Sequence, residues 1–520
     1  MSAANPHLAR PGSIEGRRAD LLIAAALFAF GAVLAWLTFR ARDGRPTVHD
    51  EFAYLFQART LLAGRVAFPS PPLPEFFESM HLLVVPTYSA KYFPGHALLL
   101  APFVALGAPW LFSSVALGAA TALLFSILRL AKAGLVASTA AALVFAASGR
   151  ALFVWASYLS HPSAGLCGVL GFYCAARLWT KGSAGWAAGL GACAGFAALT
   201  RPYCGVALGA AGLFALLASG SNRQRWLAFG APVLCAGLLG IGYCKATTGS
   251  FTTAPWSLYA RQYTPADGPG IGPVGKVAPP ERGLPPHLAQ TGEVFEAGRR
   301  AYDLRAAVRK AERQVSQLEG FASSAFVVAF AGVGLVLLTA PLAAPVVFAA
   351  VLFTLQLGFH ADPGYYLFEA WPAVALLAGW GLHRTLLAVG RLASRRKVFA
   401  ARAALGAVGL WIAVVCEDGV AEVQSFGGTT AELYARVDRA LQPARAQRSL
   451  VFIRYPEGWS GGVDLTQNEP DLARAQVVLA NDRGADDARL VKLFPDRAAF
   501  RLELTGPKLV PLDAARTRSP

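Results

Sequence analysis

Apolar runs of about 20 residues, long enough to cross a bilayer, recur along the chain with short polar breaks between them. They predict spans at 20–39, 109–129, 134–149, 162–179, 184–200, 203–219, 226–246, 321–340, 343–359, 367–388 and 399–416. A further apolar stretch, 95–107, is too short to cross and reads as a re-entrant or surface segment. Three polar segments interrupt this pattern: a first loop at 40–94, a second at 247–320, and the tail after Cys416. The fold class expected is mainly α: a polytopic transmembrane bundle of about eleven spans carrying a small α/β domain at its C-terminal end. The chain divides into a tail at 1–19, a membrane domain at 20–416 and a terminal domain at 417–520.

The polar segments have patterns of their own. In the first loop, Phe52, Leu55, Phe56 and Leu62 fall at helical spacing, so a short amphipathic helix is expected along the interface. Asp50 and Glu51 occupy its first turn, where free N–H groups and the helix dipole favour carboxylates. The second loop begins rich in Pro and Gly and reads as a lid over a site or as a linker. It continues with Leu304, Val308, Ala311, Val315 and Leu318, an amphipathic helix laid on the membrane or on the protein. In the tail, helices are expected at 431–442 and 487–494, and strands at 449–455, 475–480 and 499–504. No phosphate loop or catalytic triad is visible there.

Composition narrows the function classes. The chain of 520 residues is 55% hydrophobic and 15% charged, where a soluble enzyme carries about a quarter charged residues. Its net charge of +16 does not imply nucleic acid, because the basic residues gather at span ends and no nucleic-acid motif accompanies them. Arg129, Lys132, Arg177, Lys181, Arg223, Arg225 and the run from Arg384 to Arg402 share the side of the N-terminus; Arg150 and Arg201 lie opposite. This positive-inside bias predicts a multi-pass protein of the cell (inner) membrane. Its N-terminus is expected in the cytoplasm, and both long loops and the C-terminal domain outside. Residues 1–19, with Arg10, Arg17 and Arg18, read as leading into a retained anchor. All seven cysteines lie in or beside apolar runs, so the soluble parts carry no disulfide and no zinc site is expected.

Candidate chemistry clusters at the outer ends of the spans. Asp50 and Glu51 read either as a helix cap and surface acid or as a base accepting a hydroxyl proton. Lys91, Tyr92 and His96 close the same loop; a lysine at headgroup depth can neutralise a lipid phosphate, or simply snorkel. His161, beside Pro162, reads as a capping, core or binding residue. Arg201, in a short loop near the membrane, needs an anion, either a carboxylate of the chain or a substrate phosphate. The segment His360, Asp362, Tyr365, Tyr366 and Glu369 suits sugar hydroxyls and ring faces. His360 and Asp362 alone make only half a metal site, so neither a metal nor another cofactor is expected.

Asp50-Glu51 after the first span, Lys91-Tyr-Phe-Pro-Gly-His, Leu199-Thr-Arg-Pro and the segment from His360 to Pro372 together resemble the GT-C-type integral-membrane glycosyltransferases. The resemblance is to the branch holding protein O-mannosyltransferases and lipid A aminoarabinose transferases, and it covers about residues 20–390. It implies transfer of a sugar, with inversion, from a polyprenyl-phosphate donor to a lipid, glycan or protein hydroxyl on the outer face. The family's first-loop acid maps to Asp50, with Glu51 as helper or alternative. Its Lys-Pro-Pro-like motif maps to Lys91–Pro94, where Tyr92 and Phe93 intervene. Two other readings stand beside it: a transporter or flippase for lipid-linked sugars, and a non-catalytic envelope-assembly protein. A transporter favours paired repeats with midplane charges, and neither is found.

Overall fold

The computed structural model describes residues 14–41, 44–322, 324–362, 364–392, 406, 409, 429–459 and 463–512. Ten of the eleven expected spans fall on helices; the eleventh, 399–416, lies outside the described residues apart from two isolated positions, as does most of the 1–19 tail. The helices that build the bundle are α1 (Ile14–Ala41), α4 (Trp110–Leu130), α5 (Leu135–Ala147), α6 (Gly149–Trp155), α7 (His161–Lys181), α8 (Ala184–Ala198), α9 (Pro202–Ala218), α10 (Arg223–Thr248), α14 (Ala325–Val336), α15 (Ala343–Leu357) and α16 (Trp371–Leu392). Among the described residues five helices are long and apolar enough to cross a membrane, or six if α5 and α6, bent by 66°, form one broken span. α3 (Gly95–Ala105) is eleven residues long, about 16 Å at 1.5 Å per residue, half the hydrocarbon thickness.

Small residues let these helices approach. A Cβ on Gly381 of α16 would meet the Phe330 carbonyl oxygen of α14 at 1.8 Å, and one on Gly334 would meet that of Leu377 at 2.0 Å. Lipid offers no hydrophobic drive for helix association, so close backbone packing of this kind supplies it. Gly95 serves the site directly: its N–H donates to the Leu199 carbonyl at 2.7 Å, and a Cβ there would lie 2.3 Å from Thr200 Oγ1. That contact fixes the end of the first loop against the turn that carries Arg201.

The first loop folds onto one end of the bundle. α2 (His49–Leu62) is wedged between two layers: Tyr54, Leu55 and Ala58 pack into the bundle, while Ala53 and Phe56 pack into the layer above. The interfacial helix expected from sequence is therefore buried on both sides. Three short strands follow, β1 (Phe68–Pro69), β2 (Leu82–Leu83) and β3 (Thr87–Ala90), in the order β1-β3-β2 with antiparallel pairing.

The C-terminal sheet contains β4 (Ser449–Arg454), β5 (Val477–Asn481), β6 (Ala498–Glu503) and β7 (Lys508–Pro511), in the order β5-β4-β6-β7. β4 runs parallel to both neighbours and β7 antiparallel to β6. Strand alternation sorts its core. Leu450 and Phe452 of β4 face the first loop, with Phe76 against Phe452. Val451 and Ile453 face the helix α17 (Thr429–Ala440). Full burial of each such side chain contributes about 1.5–3 kcal/mol. The sheet domain also grips residues 78–80 of the loop: Asn481 Nδ2 donates to the Glu78 carbonyl at 2.8 Å, and Asp464 accepts from Ser79 Oγ and the Met80 N–H, both at 2.7 Å.

The second loop is ordered as α11 (Pro255–Tyr263), α12 (Pro286–Arg300) and α13 (Leu304–Ala322). It is tied to the first loop by Arg282 Nε to Glu78 at 2.6 Å and by Gln262 Nε2 to the Val85 carbonyl at 2.8 Å. α13 buries its polar face: Lys310, Gln314 and Gln317 are inside, while Leu304, Val308 and Val315 are exposed. Of the apolar stripe, Leu318 packs against the bundle, while Leu304, Val308 and Val315 face away from the protein.

Candidate active site

Three parts of the chain meet in one cavity of about 540 Å³: the N-terminus of α2 with residues 80–81 and 91–92 of the first loop, the bundle ends at 159–161 and 201, and the second loop with the turn after α15. Asp50 lines it from the first turn of α2, its side chain 37% exposed. Oδ1 accepts from the Tyr92 hydroxyl at 2.5 Å, and Oδ2 faces His81 Nε2 at 3.3 Å. Burial alone would raise the Asp50 carboxyl. The pull of His81 and its N–H, then Lys91 and the Tyr92 hydroxyl, outweigh it and hold the group well below the usual carboxylate range.

Asp50 and Glu51 do not form a working pair. Glu51 is buried and turned back: Oε2 accepts from the Thr47 N–H at 2.6 Å and the Val48 N–H at 3.2 Å, and Oε1 from the Tyr158 N–H at 2.8 Å. It closes the α2 N-terminus onto the bundle, and this geometry gives it no helper role. His96 likewise leaves the cavity. Both its ring nitrogens are engaged inside the bundle, Nδ1 with Ser163 Oγ at 2.7 Å and Nε2 with the Tyr158 carbonyl at 2.9 Å. The helix that begins at Gly95 turns its ring inward, away from Lys91.

Lys91 sits over the rings of Tyr92 and Tyr259, 5.4 and 4.7 Å from their centroids. Among the described residues its ammonium forms no ion pair within 4 Å. Burial pulls it below the ordinary lysine range, while Asp50 and Asp267 oppose that. Tyr92 stacks on Tyr54 at 4.4 Å, and the Tyr54 hydroxyl donates to Ser160 Oγ at 2.8 Å. Arg201 reaches the same serine with Nη1 at 3.2 Å.

Arg201 and His161 share one buried anchor. Glu369 Oε1 accepts from Arg201 Nε at 2.9 Å and from His161 Nδ1 at 2.8 Å. The carboxylate is fully buried on a turn that Trp371 pins by donating to the Phe145 carbonyl at 3.1 Å. The contact with this carboxylate fixes the orientation of the His161 ring. Glu369 is thus not a ligand contact; it orients two residues that line the cavity. Tyr365 and Tyr366 add aromatic faces, with Tyr366 under Arg201 at 5.8 Å.

Lys310 orders the turn after α15, donating to the carbonyls of Gln356, Phe359 and Ala361 at 2.8, 2.5 and 2.9 Å. Burial lowers its pKa to about 8. The same turn presents His360 and Asp362 to the cavity. Asp362 accepts from Gln317 Nε2 at 2.6 Å and Arg313 Nε at 3.3 Å, and does not pair with His360 as a metal ligand would. Among the described residues no group of three His, Cys, Asp or Glu side chains is placed to hold a metal ion.

Two residues of the site were not singled out by sequence, His81 and Asp267. His81 has φ 67°, uncommon for a residue with a side chain, and its N–H is held by the Tyr259 hydroxyl at 3.2 Å. Asp267 lies in the Pro-Gly-rich half of the second loop and lines the same cavity as Asp50.

Burial, then Lys91, lowers His81 to about 4 against Asp50's opposing pull. Between about 4 and its ordinary value near 6.5, native His81 binds fewer protons than the unfolded chain. Its contribution is therefore complete above that window and is lost as pH falls through it. Asp50, with its pKa depressed, acts with the same sign at lower pH. Thermal unfolding is expected to move to lower temperature from pH 7 to pH 4. The slope is expected to be shallower in His81→Gln; an equal slope would remove His81 from the account.

A second, smaller cavity of about 270 Å³ adjoins the first, sharing Tyr54, Lys91, Tyr92, Arg201, Asp267, Phe359 and Tyr366, and is lined further by Phe93, Tyr203 and Trp256. Lys91, Arg201 and Asp267 thus line both cavities, of which the smaller is the more apolar.

No protein-family model matches the sequence, and no curated protein matches it. Solved structures do. ArnT from Cupriavidus metallidurans bound to undecaprenyl phosphate is similar at a TM-score of 0.56 and 13% identity, over 94% of this chain and 93% of that one. The same protein in its apo state gives 0.50 and 14%, with the same coverage. The Archaeoglobus fulgidus oligosaccharyltransferase in its apo form gives 0.50 and 11%, over 81% of this chain and 58% of that one. Likeness at this identity speaks for architecture: the chain is an integral membrane protein with the polytopic GT-C fold.

Proposed function

We propose that the protein is a membrane glycosyltransferase that moves a sugar from a polyprenyl-phosphate donor to an acceptor hydroxyl, with inversion and with Asp50 as the base. The observation that carries this reading is the junction of the two cavities, where Lys91 and Arg201 line both the more apolar cavity and the chamber of Asp50. A prenyl chain fits the apolar side, its phosphate the two cations, and the sugar the chamber. The acceptor oxygen bonds to the anomeric carbon as the bond from that carbon to the phosphate oxygen breaks. The electron pair leaves with the phosphate, and the hydroxyl proton passes to Asp50.

Each group has a physical reason for its part. Fixed cations in a water-poor site stabilise charge arriving on the leaving phosphate without reorganisation. Asp50 is ionised at neutral pH and ready to receive a proton. Its low basicity suits a transition state in which the acceptor oxygen becomes acidic as it bonds to carbon. Basic residues at the opposite span ends support placing the site outside a cell (inner) membrane, with the N-terminus in the cytoplasm and residues 417–520 on the outer side. That ArnT was solved with undecaprenyl phosphate supports the lipid carrier.

Mass analysis of envelope glycans and glycolipids, with and without the protein, tests the reading. A glycan lost on deletion and restored by wild type, but not by Lys91→Ala, is expected. Full restoration by Lys91→Ala combined with Arg201→Ala would refute a phosphate-binding pair.

A further inference from the structure

We propose that Asp267 and His360 form a hydroxyl-binding subsite that reads the sugar carried by the donor. The inference rests on the glycosyl-transfer reading and assigns the sugar a wall of the chamber. Asp267 Oδ1 and His360 Nδ1 are both buried without a hydrogen-bond partner. They lie 3.7 Å apart, too far to bond each other, and both residues line the larger cavity. The His360 side chain is 5% exposed. A buried polar atom without a partner is costly, and here two of the several among the described residues converge on one point.

The separation is built in by other contacts. The segment bearing Asp267 is clamped to the segment bearing His360: the Gly270 N–H donates to the Gly358 carbonyl at 2.7 Å, the Gly272 N–H to that of Tyr302 at 2.9 Å, and the Tyr302 hydroxyl to that of Leu357 at 2.8 Å. Lys310 holds the carbonyls on either side of His360, and Phe359 and Tyr302 bracket its ring at 5.2 and 6.4 Å. The two polar atoms are therefore held in place rather than free to collapse together.

The chemistry of the pair selects the ligand. A carboxylate accepts, a neutral imidazole donates from one nitrogen and accepts at the other, and a hydroxyl can do both. One hydroxyl set between atoms 3.7 Å apart satisfies both. A phosphate would be repelled by Asp267 and is drawn instead to Lys91 and Arg201. With Phe359, Tyr365 and Tyr366 lining the same chamber, the ligand of this wall is a neutral, polyhydroxylated ring.

Two probes separate this from general damage: a hexosyl polyprenyl phosphate and the same polyprenyl phosphate without sugar, each titrated onto the full-length protein in nanodiscs. Wild type is expected to prefer the hexosyl lipid. Asp267→Asn and His360→Phe are each expected to cut the preference for the hexosyl lipid about tenfold, the scale of one hydrogen bond to a charged group; neither is expected to weaken the bare lipid phosphate, and Asp267→Asn, which removes a charge that repels phosphate, is expected to hold or tighten it. Asp267→Asn keeps the side-chain shape and decides the matter even should His360→Phe fail to fold. Equal losses for both lipids, or a variant that keeps the wild-type preference, would overturn the subsite. A wild type binding both lipids equally would also overturn it while leaving the glycosyl-transfer reading intact. A wild type binding neither would sink that reading and the subsite with it.

Discussion

Asparagine at Asp50 is expected to lower sugar transfer by about 10²–10⁴-fold, the usual worth of a positioned proton acceptor, with little change in donor affinity. The amide keeps the shape of the carboxylate, and its oxygen can still accept from Tyr92 or His81. It cannot take a proton from an incoming hydroxyl. The phosphate is bound by other groups, so the loss belongs in turnover rather than in binding. Single-turnover transfer and donor titration on the same preparation would separate the two. Glu51→Gln provides the contrast. Its oxygens are already occupied by the N–H groups of Thr47, Val48 and Tyr158, so a change there is expected to lower the melting temperature more than the rate of the folded fraction. If Asp50→Asn transfers sugar at the wild-type rate, Asp50 is not the base, and Asp267 in the same chamber becomes the carboxylate to test.

The parts of this architecture legible in sequence are those set by local pattern. Runs of membrane-crossing length mark the helices, and the helical spacing of Phe52, Leu55 and Phe56 marks α2. The apolar run Leu450–Ile453, buried on both faces, marks the central strand of the C-terminal sheet. Asp50 stood out because two carboxylates beside a span are costly and need a reason. What stayed hidden depends on contacts distant in sequence. His81 reaches Asp50 because Asp464 and Asn481 of the sheet domain hold residues 78–80 from some four hundred positions away. Asp267 sits in a Pro-Gly stretch with no periodicity, and contacts distant in sequence, such as that of Gly270 with Gly358, bring it to the chamber. His96 drew attention by its nearness to Lys91, but the first turn of α3 rotates it into the bundle. In α13 the spacing marked a two-faced helix, yet composition could not say that Lys310 and Gln314 face inward. That choice is made by the carbonyls awaiting Lys310 at the end of α15.

Removing the Glu369 carboxylate is expected to have the largest effect on stability. In Glu369→Ala the Arg201 guanidinium loses its anion and the His161 Nδ1–H its acceptor, in a place from which Glu369 itself is excluded from solvent. Breaking one side of a buried pair costs about 3–5 kcal/mol, because the partner charge is left without compensation. Thermal unfolding in nanodiscs should show that loss directly. Arg201 lines both cavities, so the folded fraction of the variant should also bind polyprenyl phosphate differently: freed from Glu369, the guanidinium no longer presents a fixed face. The double replacement Glu369→Gln with Arg201→Gln separates anchoring from packing. If the pair acts as a charge couple, the double variant should be more stable than the sum of the single losses predicts, since no unpaired charge remains. Strict additivity would mean that Glu369 and Arg201 contribute independently, and that the orientation of Arg201 toward the phosphate has to come from Ser160 and Tyr366 instead.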